Sequence, residues 1–224
     1  SPGIADGYRD GVATDRGAPH PRRTQRERRE GSERALLDAA ATLIAERGSS
    51  KTSFADIAAM AGCSHSHPHY LFGSKAAMLE ALVEEFGDRF SEQVIHRLVG
   101  DATGLAGLTR CVSVFLRSLA DPWPMTRALY VLLGESLGAS PELRPALAAY
   151  HRRLRRMIAV YVTQGIEAGE IDSAIDAEAE AAAVVALVRG IGYQVLSDPD
   201  AFDLRELEGQ VVGGLERRLS VPRP

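Results

Sequence analysis

The sequence predicts an all-α protein: a three-helix N-terminal head containing a helix-turn-helix, followed by a larger helical bundle. Three observations predict it. Helix formers dominate the 224 residues and strand signals are almost absent. Apolar residues recur at helical spacing from Leu36 to Leu219, in blocks punctuated by Gly and Pro. Residues 53–75, SFADIAAMAGCSHSHPHYLFGSK, read as two short helices around a tight turn.

Each element follows from its own signals. Residues 1–31, rich in Gly, Pro, Arg and Asp without apolar period, predict a flexible basic tail. In it, Arg22, Arg23, Arg26, Arg28 and Arg29 outnumber Glu27 and Glu30, which fits either a solvated tail or an arm that follows phosphates. Ser32 is a candidate cap for a helix over 33–47 facing inward through Leu36, Ala40, Leu43 and Ile44, closed by Gly48. Ser53 with Asp56 is a capping box. Ile57, Ala58 and Ala61 face a core, and Gly62 stops that helix. Ser64 is the next available cap before a helix ending at Phe72, but Pro68 conflicts with it. Starting at Ser64 would put Pro68 where its ring clashes at a cost of about 3 kcal/mol. With Ser66 as cap, Pro68 falls in the first turn and is tolerated. The second helix is therefore predicted to start late or with a 3₁₀ turn.

Helix 75–99 carries Met78, Leu79, Leu82, Val83, Phe86, Phe90, Val94 and Leu98 on one stripe and links head to body. Helices follow over 105–119 and 125–137, separated by Asp121-Pro122-Trp123-Pro124. A long one, restarted by Pro141, runs over 141–168 to the GIEAGE turn. The helix over 176–197 is apolar or small on nearly every side and must be covered on all of them. With the final helix, 204–219, it could form a four-helix dimer interface through Ala182, Ala186, Leu204, Leu207, Val211 and Leu215. An unusually apolar monomer core is the other reading. The domain division is tail 1–31, helix-turn-helix domain 32–78, and ligand-binding and dimerisation domain 79–224.

Charge narrows the function. The net charge is −4, but residues 1–78 carry eleven Lys and Arg against nine Asp and Glu, and the remainder fifteen against twenty-one. A basic head on an acidic body suits contact with nucleic acid at one end. No run of about 18 uninterrupted apolar residues suggests a membrane span, and the absence of an apolar signal core leads us to expect a cytoplasmic protein. Cys63 and Cys111 lack metal or disulfide spacing and read as small buried hydrophobes. No catalytic triad, phosphate loop or zinc-protease motif is present, so no enzyme activity, cofactor or metal is expected.

The stretch RALLDAAATLIAERGSSKTSFADIAAMAGCSHSHPHYLFGSKAAMLEAL, about 50 residues, is similar to the tetracycline-repressor (TetR) family of one-component regulators. The resemblance rests on Glu46-Arg47-Gly48, Thr52-Ser53, Asp56-Ile57-Ala58, Ala61-Gly62, Ser64 and Phe72-Gly73-Ser74-Lys75 taken together. It implies a dimer with an N-terminal DNA-binding head and a C-terminal pocket whose ligand changes the spacing of the heads. Thr52, Ser53 and Lys75 then fall at phosphate-contacting positions. Ser64, His65, Ser66 and His67 fall on the exposed start of the reading helix, His69 replaces a phosphate-bonding Tyr, and Tyr70 completes the candidate DNA-facing set. The sequence departs from the family at Ala55, where a DNA-reaching Arg is common, at Leu71, and at Pro68.

His65, His67 and His69 admit three readings: DNA contacts, a metal site using the one-turn spacing of His65 and His69, or surface residues without a role. The candidate pocket is built from Phe115, Leu119, Trp123, Met125, Leu129, Tyr130, Leu133, Tyr150, Leu154, Met157 and Tyr161, with Glu135 and Arg153 or Arg156 able to orient a polar group. The expectation is a homodimeric, ligand-responsive repressor released from a palindromic double-stranded DNA operator by a small apolar or amphipathic effector. The alternative is a helical ligand-binding or interaction protein in which Pro68 impairs specific DNA binding.

Overall fold

The first helix starts at Thr24 rather than Ser32. In the computed structural model, which describes residues 24–201 and 203–221 (without the side chains of 93–96), the Thr24 hydroxyl accepts from the Glu27 N–H at 3.2 Å. The Glu27 carboxylate accepts in turn from the Thr24 N–H at 2.7 Å. This reciprocal box satisfies two donors that a helix start otherwise leaves open. Helix α1 thus spans Gln25–Arg47. Arg26, Arg28 and Arg29, read as part of a flexible segment, are helical; Arg26 pairs with Glu30 at 2.8 Å. Arg22 and Arg23 lie outside the described residues.

Helix α2 is Phe54–Met60 and α3 is His67–Phe72. The late start of the second helix holds: Ser66 is the cap position, Pro68 lies in the first turn, and a Ser64-to-His67 backbone turn precedes it. Helix α4, Lys75–Arg89, runs on into a π-helical stretch, Phe90–Val99. That wider winding breaks the 3.6-residue stripe assumed for 75–99. Leu98, expected inward, is 55% exposed.

The body contains α5 (Gly104–Ser118), α6 (Pro124–Glu135), α7 (Arg144–Glu167), α8 (Ala177–Ser197) and α9 (Leu204–Leu219). Pro141 does not open the long helix. It begins a single 3₁₀ turn, Pro141–Leu143, and α7 proper follows. Asp176 and Asp203 cap α8 and α9 by accepting two backbone N–H groups each.

Among the described residues the buried side chains form two clusters. The first unites the inner face of α1 with α4, α6 and the start of α7 through Leu36, Ile44, Met78, Leu82, Leu129 and Leu147. The second lies between α5, α7, α8 and α9 around Leu108, Val112, Leu116, Val184 and Leu215. Phe90 and Leu154 pack against both. The head is consequently not a bead on a linker: α1 lies directly on α6.

Candidate functional site

The turn before α2 positions the head. Thr52 is 1% exposed, its N–H bonded to the Ser49 carbonyl at 3.1 Å and its hydroxyl donated to the Gly48 carbonyl at 2.9 Å. This corrects the phosphate-contact reading of Thr52: both of its donors are spent on folding the loop. Ser53 stays exposed and makes the expected capping box, with Ser53 N–H to Asp56 Oδ2 at 2.9 Å and Asp56 N–H to Ser53 Oγ at 3.2 Å. Those bonds from Ser53, with Arg47 at 2.9 Å adding to them, hold the Asp56 carboxyl down at about 2.

Within α3 the candidate residues separate. Ser64, His65, Ser66, His69 and Tyr70 are exposed, Tyr70 at 81%. Pro68 is buried, and Leu71 and Phe72 pack on the first core. His67 turns away from this face: its Nε2 lies 2.6 Å from the Ser32 hydroxyl of α1. That corrects both its reading as a DNA contact and Ser32's as a helix cap. The His69 ring leans on Phe54, with centroids 6.0 Å apart. His67 is thus drawn to α1 and His69 to Phe54, and among the described residues no three His, Cys, Asp or Glu side chains are grouped as metal ligands.

Lys75 is half-buried, its ammonium donating to the Ser49 carbonyl. Across the same loop, the Ser49 N–H donates to Glu135 Oε1 at 3.0 Å. The loop between α1 and α2 is thus clamped between the start of α4 and the end of α6. Glu135 Oε2 is buried without a hydrogen-bond partner.

In the body, the eleven pocket candidates do not share one space. A groove of about 740 Å³ opens between α6, α7 and α8 and includes Tyr130 and Leu133. A small internal cavity of about 30 Å³ includes Phe115, Leu154 and Met157. Trp123, 43% exposed, belongs to an outer cavity with Phe90, Leu98 and Arg117. Met125 and Leu129 are corrected to core residues of the α1–α6 contact, and Leu119 to the second core, because those faces are taken by packing. Tyr161 lies against Gly107 instead of a cavity. Arg153 is drawn off to Asp88 at 2.8 Å, joining α7 to α4.

Arg189 stands between the groove and the internal cavity and lines both. Its guanidinium carbon lies 5.0, 5.5 and 5.7 Å from the ring centroids of Tyr150, Phe115 and Tyr130. One nitrogen donates to the Tyr150 hydroxyl, while Nε and Nη1 are buried without a hydrogen-bond partner. Burial pushes the Tyr150 phenol up to about 12, with Arg189 pulling the other way. Burial likewise pushes His151 down to about 4, with Arg189 and Arg155 adding to that shift. The same rings continue to α4 and the π-helical stretch after it: Phe86 packs edge-on to Tyr150 at 5.7 Å, and Phe90 to Phe115 at 5.9 Å.

Arg189 was missed by sequence reasoning. Its signal was legible: it is the one charged residue between Ala181 and Val195, in a helix otherwise apolar or small, and such a residue needs a partner.

The dimer candidates separate too. Ala182 and Ala186 are exposed on α8, beside Leu187 at 41% and Tyr193 at 64%. Leu215, at 2%, is corrected to core; Leu204, Leu207 and Val211 are half-buried against the same cluster. The α9 stripe is spent on α5, where Glu208 also takes Arg117 at 2.8 Å.

Comparison with known proteins agrees with this geometry. A family described as bacterial regulatory proteins, tetR family, matches residues 36–82, and one described as BetI-type transcriptional repressor, C-terminal, matches 115–220. The chain is 30% identical over 159 residues to the HTH-type transcriptional regulator BetI of Rhizobium meliloti (strain 1021), covering 70% of this chain and 74% of that protein. A TetR-family transcriptional regulator from Rhodococcus sp. has the same fold, with a TM-score of 0.74 at 24% identity, over 85% of this chain and all of that one. So does a transcriptional regulator from Saccharomonospora viridis in complex with choline, at 0.72 and 23%, over 86% and 100%. The helix-turn-helix head, the helical body and these matches identify the chain as a member of the TetR family of bacterial transcriptional regulators, not an enzyme.

Proposed function

We propose that this TetR-family regulator is a homodimeric repressor that leaves a palindromic operator when a small, partly apolar effector enters the body. The observation that carries this reading is the exposed face of α3 on a head clamped to the body. His65, His69 and Tyr70 face outward, while the loop behind them is held by Lys75 on one side and Glu135 on the other. The head comprises α1–α3 and the start of α4; α4 onward binds ligand and dimerises. Ser53, Ser64, His65, Ser66, His69 and Tyr70 are the residues with surface free for DNA. Ala182, Ala186, Leu187 and Tyr193 form an apolar strip on α8 that a second copy would cover.

Two routes support transmission from body to head. Tyr130 and Leu133, in the groove, sit on α6, whose end grips Ser49. Phe86 of α4 and Phe90, at the start of the π-helical stretch, pack on the rings around Arg189. A ligand that favours one arrangement of these helices changes the distance between heads and with it the fit to two half-sites. The relative solved with choline gives this fold a precedent for a small-molecule ligand.

Selection from random duplex DNA tests the reading. A recovered palindrome bound by the dimer, with affinity falling steeply as salt rises, is the expected result. Recovery of no motif would favour a ligand-binding protein that has lost specific DNA reading.

A further inference from the structure

We propose that Arg189 anchors an effector site for a small amphipathic anion, a carboxylate on an apolar or aromatic body, seated in the groove between α6, α7 and α8. The proposal deepens the ligand-responsive reading above and rests on it only for its regulatory consequence.

Arg189 is half-buried, and its Nε and Nη1 lie among three aromatic rings out of reach of water. One of its nitrogens donates to the Tyr150 hydroxyl, the Tyr130 hydroxyl also interacts with its guanidinium, and among the described residues no carboxylate pairs with it. Nε and Nη1 are left buried with no acceptor. A purely structural cation–π contact explains the rings but not two idle donors, since buried polar groups are ordinarily satisfied.

The groove beside it has the size of a small-molecule site, about 740 Å³. Leu133, Leu147 and Val185 give it apolar walls, its α8 rim is Ala182, Ala186 and Tyr193 of the strip assigned above to a second copy, and its charged lining consists of Arg144, Arg155 and Arg189, with His151 and no Asp or Glu. Arg144 is already bonded to the carbonyls of Ser136 and Leu137. A cation entering would meet the half-buried Arg155 and Arg189 and the exposed Arg144 with no carboxylate among them, and the aromatic faces that could cradle it are occupied by Arg189. An anion meets the reverse: acceptors for the idle donors and a field of one sign. The geometry requires Arg189 to turn from the rings toward the groove as the ligand arrives. That movement loosens the packing of Phe115 and Tyr150 against Phe90 and Phe86.

Isothermal titration of the full chain at pH 7.5 with octanoate, octan-1-ol and octyltrimethylammonium tests this directly. Octanoate is expected to bind at least about tenfold more tightly than either of the others, and Arg189→Met to abolish that advantage while leaving octan-1-ol within about threefold. Equal or tighter binding of the ammonium, no octanoate binding up to about 10 mM, or an unchanged affinity in the variant overturns the proposal.

Should Arg189→Met fail to fold, Arg189→Lys provides the reading, because it keeps charge but not the fork of donors; undiminished octanoate affinity there also overturns the proposal. Titrations at two protein concentrations identify the rival occupant. Octanoate affinity that weakens as protein concentration rises assigns the groove to a second copy of the chain. Operator release is scored separately. Octanoate that binds through Arg189 without releasing DNA leaves the anion site standing and refutes the ligand-responsive reading.

Discussion

Glu135→Ala should loosen the clamp on the head by an amount the structure allows to be worked out. The Ser49 N–H donates to Glu135 Oε1 at 3.0 Å, and Ser49 is 3% exposed, so water cannot replace the lost acceptor. A hydrogen bond to a charged group contributes about 1.5–3 kcal/mol, and orphaning a buried donor costs about 1–3 kcal/mol; these describe one loss from two sides. Against it stands the relief of removing Oε2, a buried oxygen with no partner. A net loss of about 2 kcal/mol follows, which lowers Tm by roughly 4–8 °C in a chain of this size.

Glu135→Gln keeps an acceptor carbonyl in place and removes the poorly solvated charge, so it should stay within about 1 kcal/mol of the parent. Urea unfolding at pH 7.5 with a common m-value measures both. Operator affinity should fall in the Ala variant and survive in the Gln variant, because the loop under test also carries the start of α2. Two variants equal to the parent in stability and in DNA affinity would refute the clamp. Equal losses in both would show that charge, not the hydrogen bond, is what matters.

Three further outcomes are expected. His151 is held down at about 4 in the folded chain and returns to about 6.5 when unfolded, so the unfolded state binds the extra proton in between. Stability from this residue is full above about pH 6.5 and drains away as pH falls toward 4, so Tm against pH should be shallower in His151→Phe over that window; parallel curves would count against it. Pro68→Ala should lower stability by about 0.4–1 kcal/mol by freeing the unfolded chain, whereas a gain near 3 kcal/mol would mean that the ring strains α3 after all. Leu187→Glu, on the exposed strip of α8, should cost the fold under about 0.5 kcal/mol yet leave a monomer in sedimentation velocity; a persisting dimer would move the interface elsewhere.

Local signals were reliable wherever one residue type decides the backbone. Ser53 with Asp56 fixed the start of α2, Asp176 and Asp203 were available as caps for α8 and α9, and Pro68 forced α3 to begin late. The errors share a cause. Ser32 could cap a helix by itself, but Thr24 with Glu27 makes the better box, and Ser32 is then free to meet His67 thirty-five residues away. Leu98 fell off its stripe because the winding changes at Phe90, a change no 3.6-residue template contains.

The pocket was less legible still. An inward aromatic reads the same from sequence whether it faces a cavity, a neighbouring helix or a guanidinium. Phe115, Met125 and Tyr150 met three different fates on those terms.

The all-α fold, the order of the helices, the helix-turn-helix and its departure from the family's pattern within residues 65–71 were determined by the sequence itself. Capping, period and proline geometry act within a few residues, and their physics is local. Tertiary structure alone decided that α1 rests on α6, that Glu135 and Lys75 close on Ser49 from opposite sides, that Thr52 and His67 are consumed by packing, and that Arg189 sits in a ring of aromatics with two donors idle. Each of these depends on which distant surfaces meet, and burial converts an ordinary side chain into a constrained one only once they do.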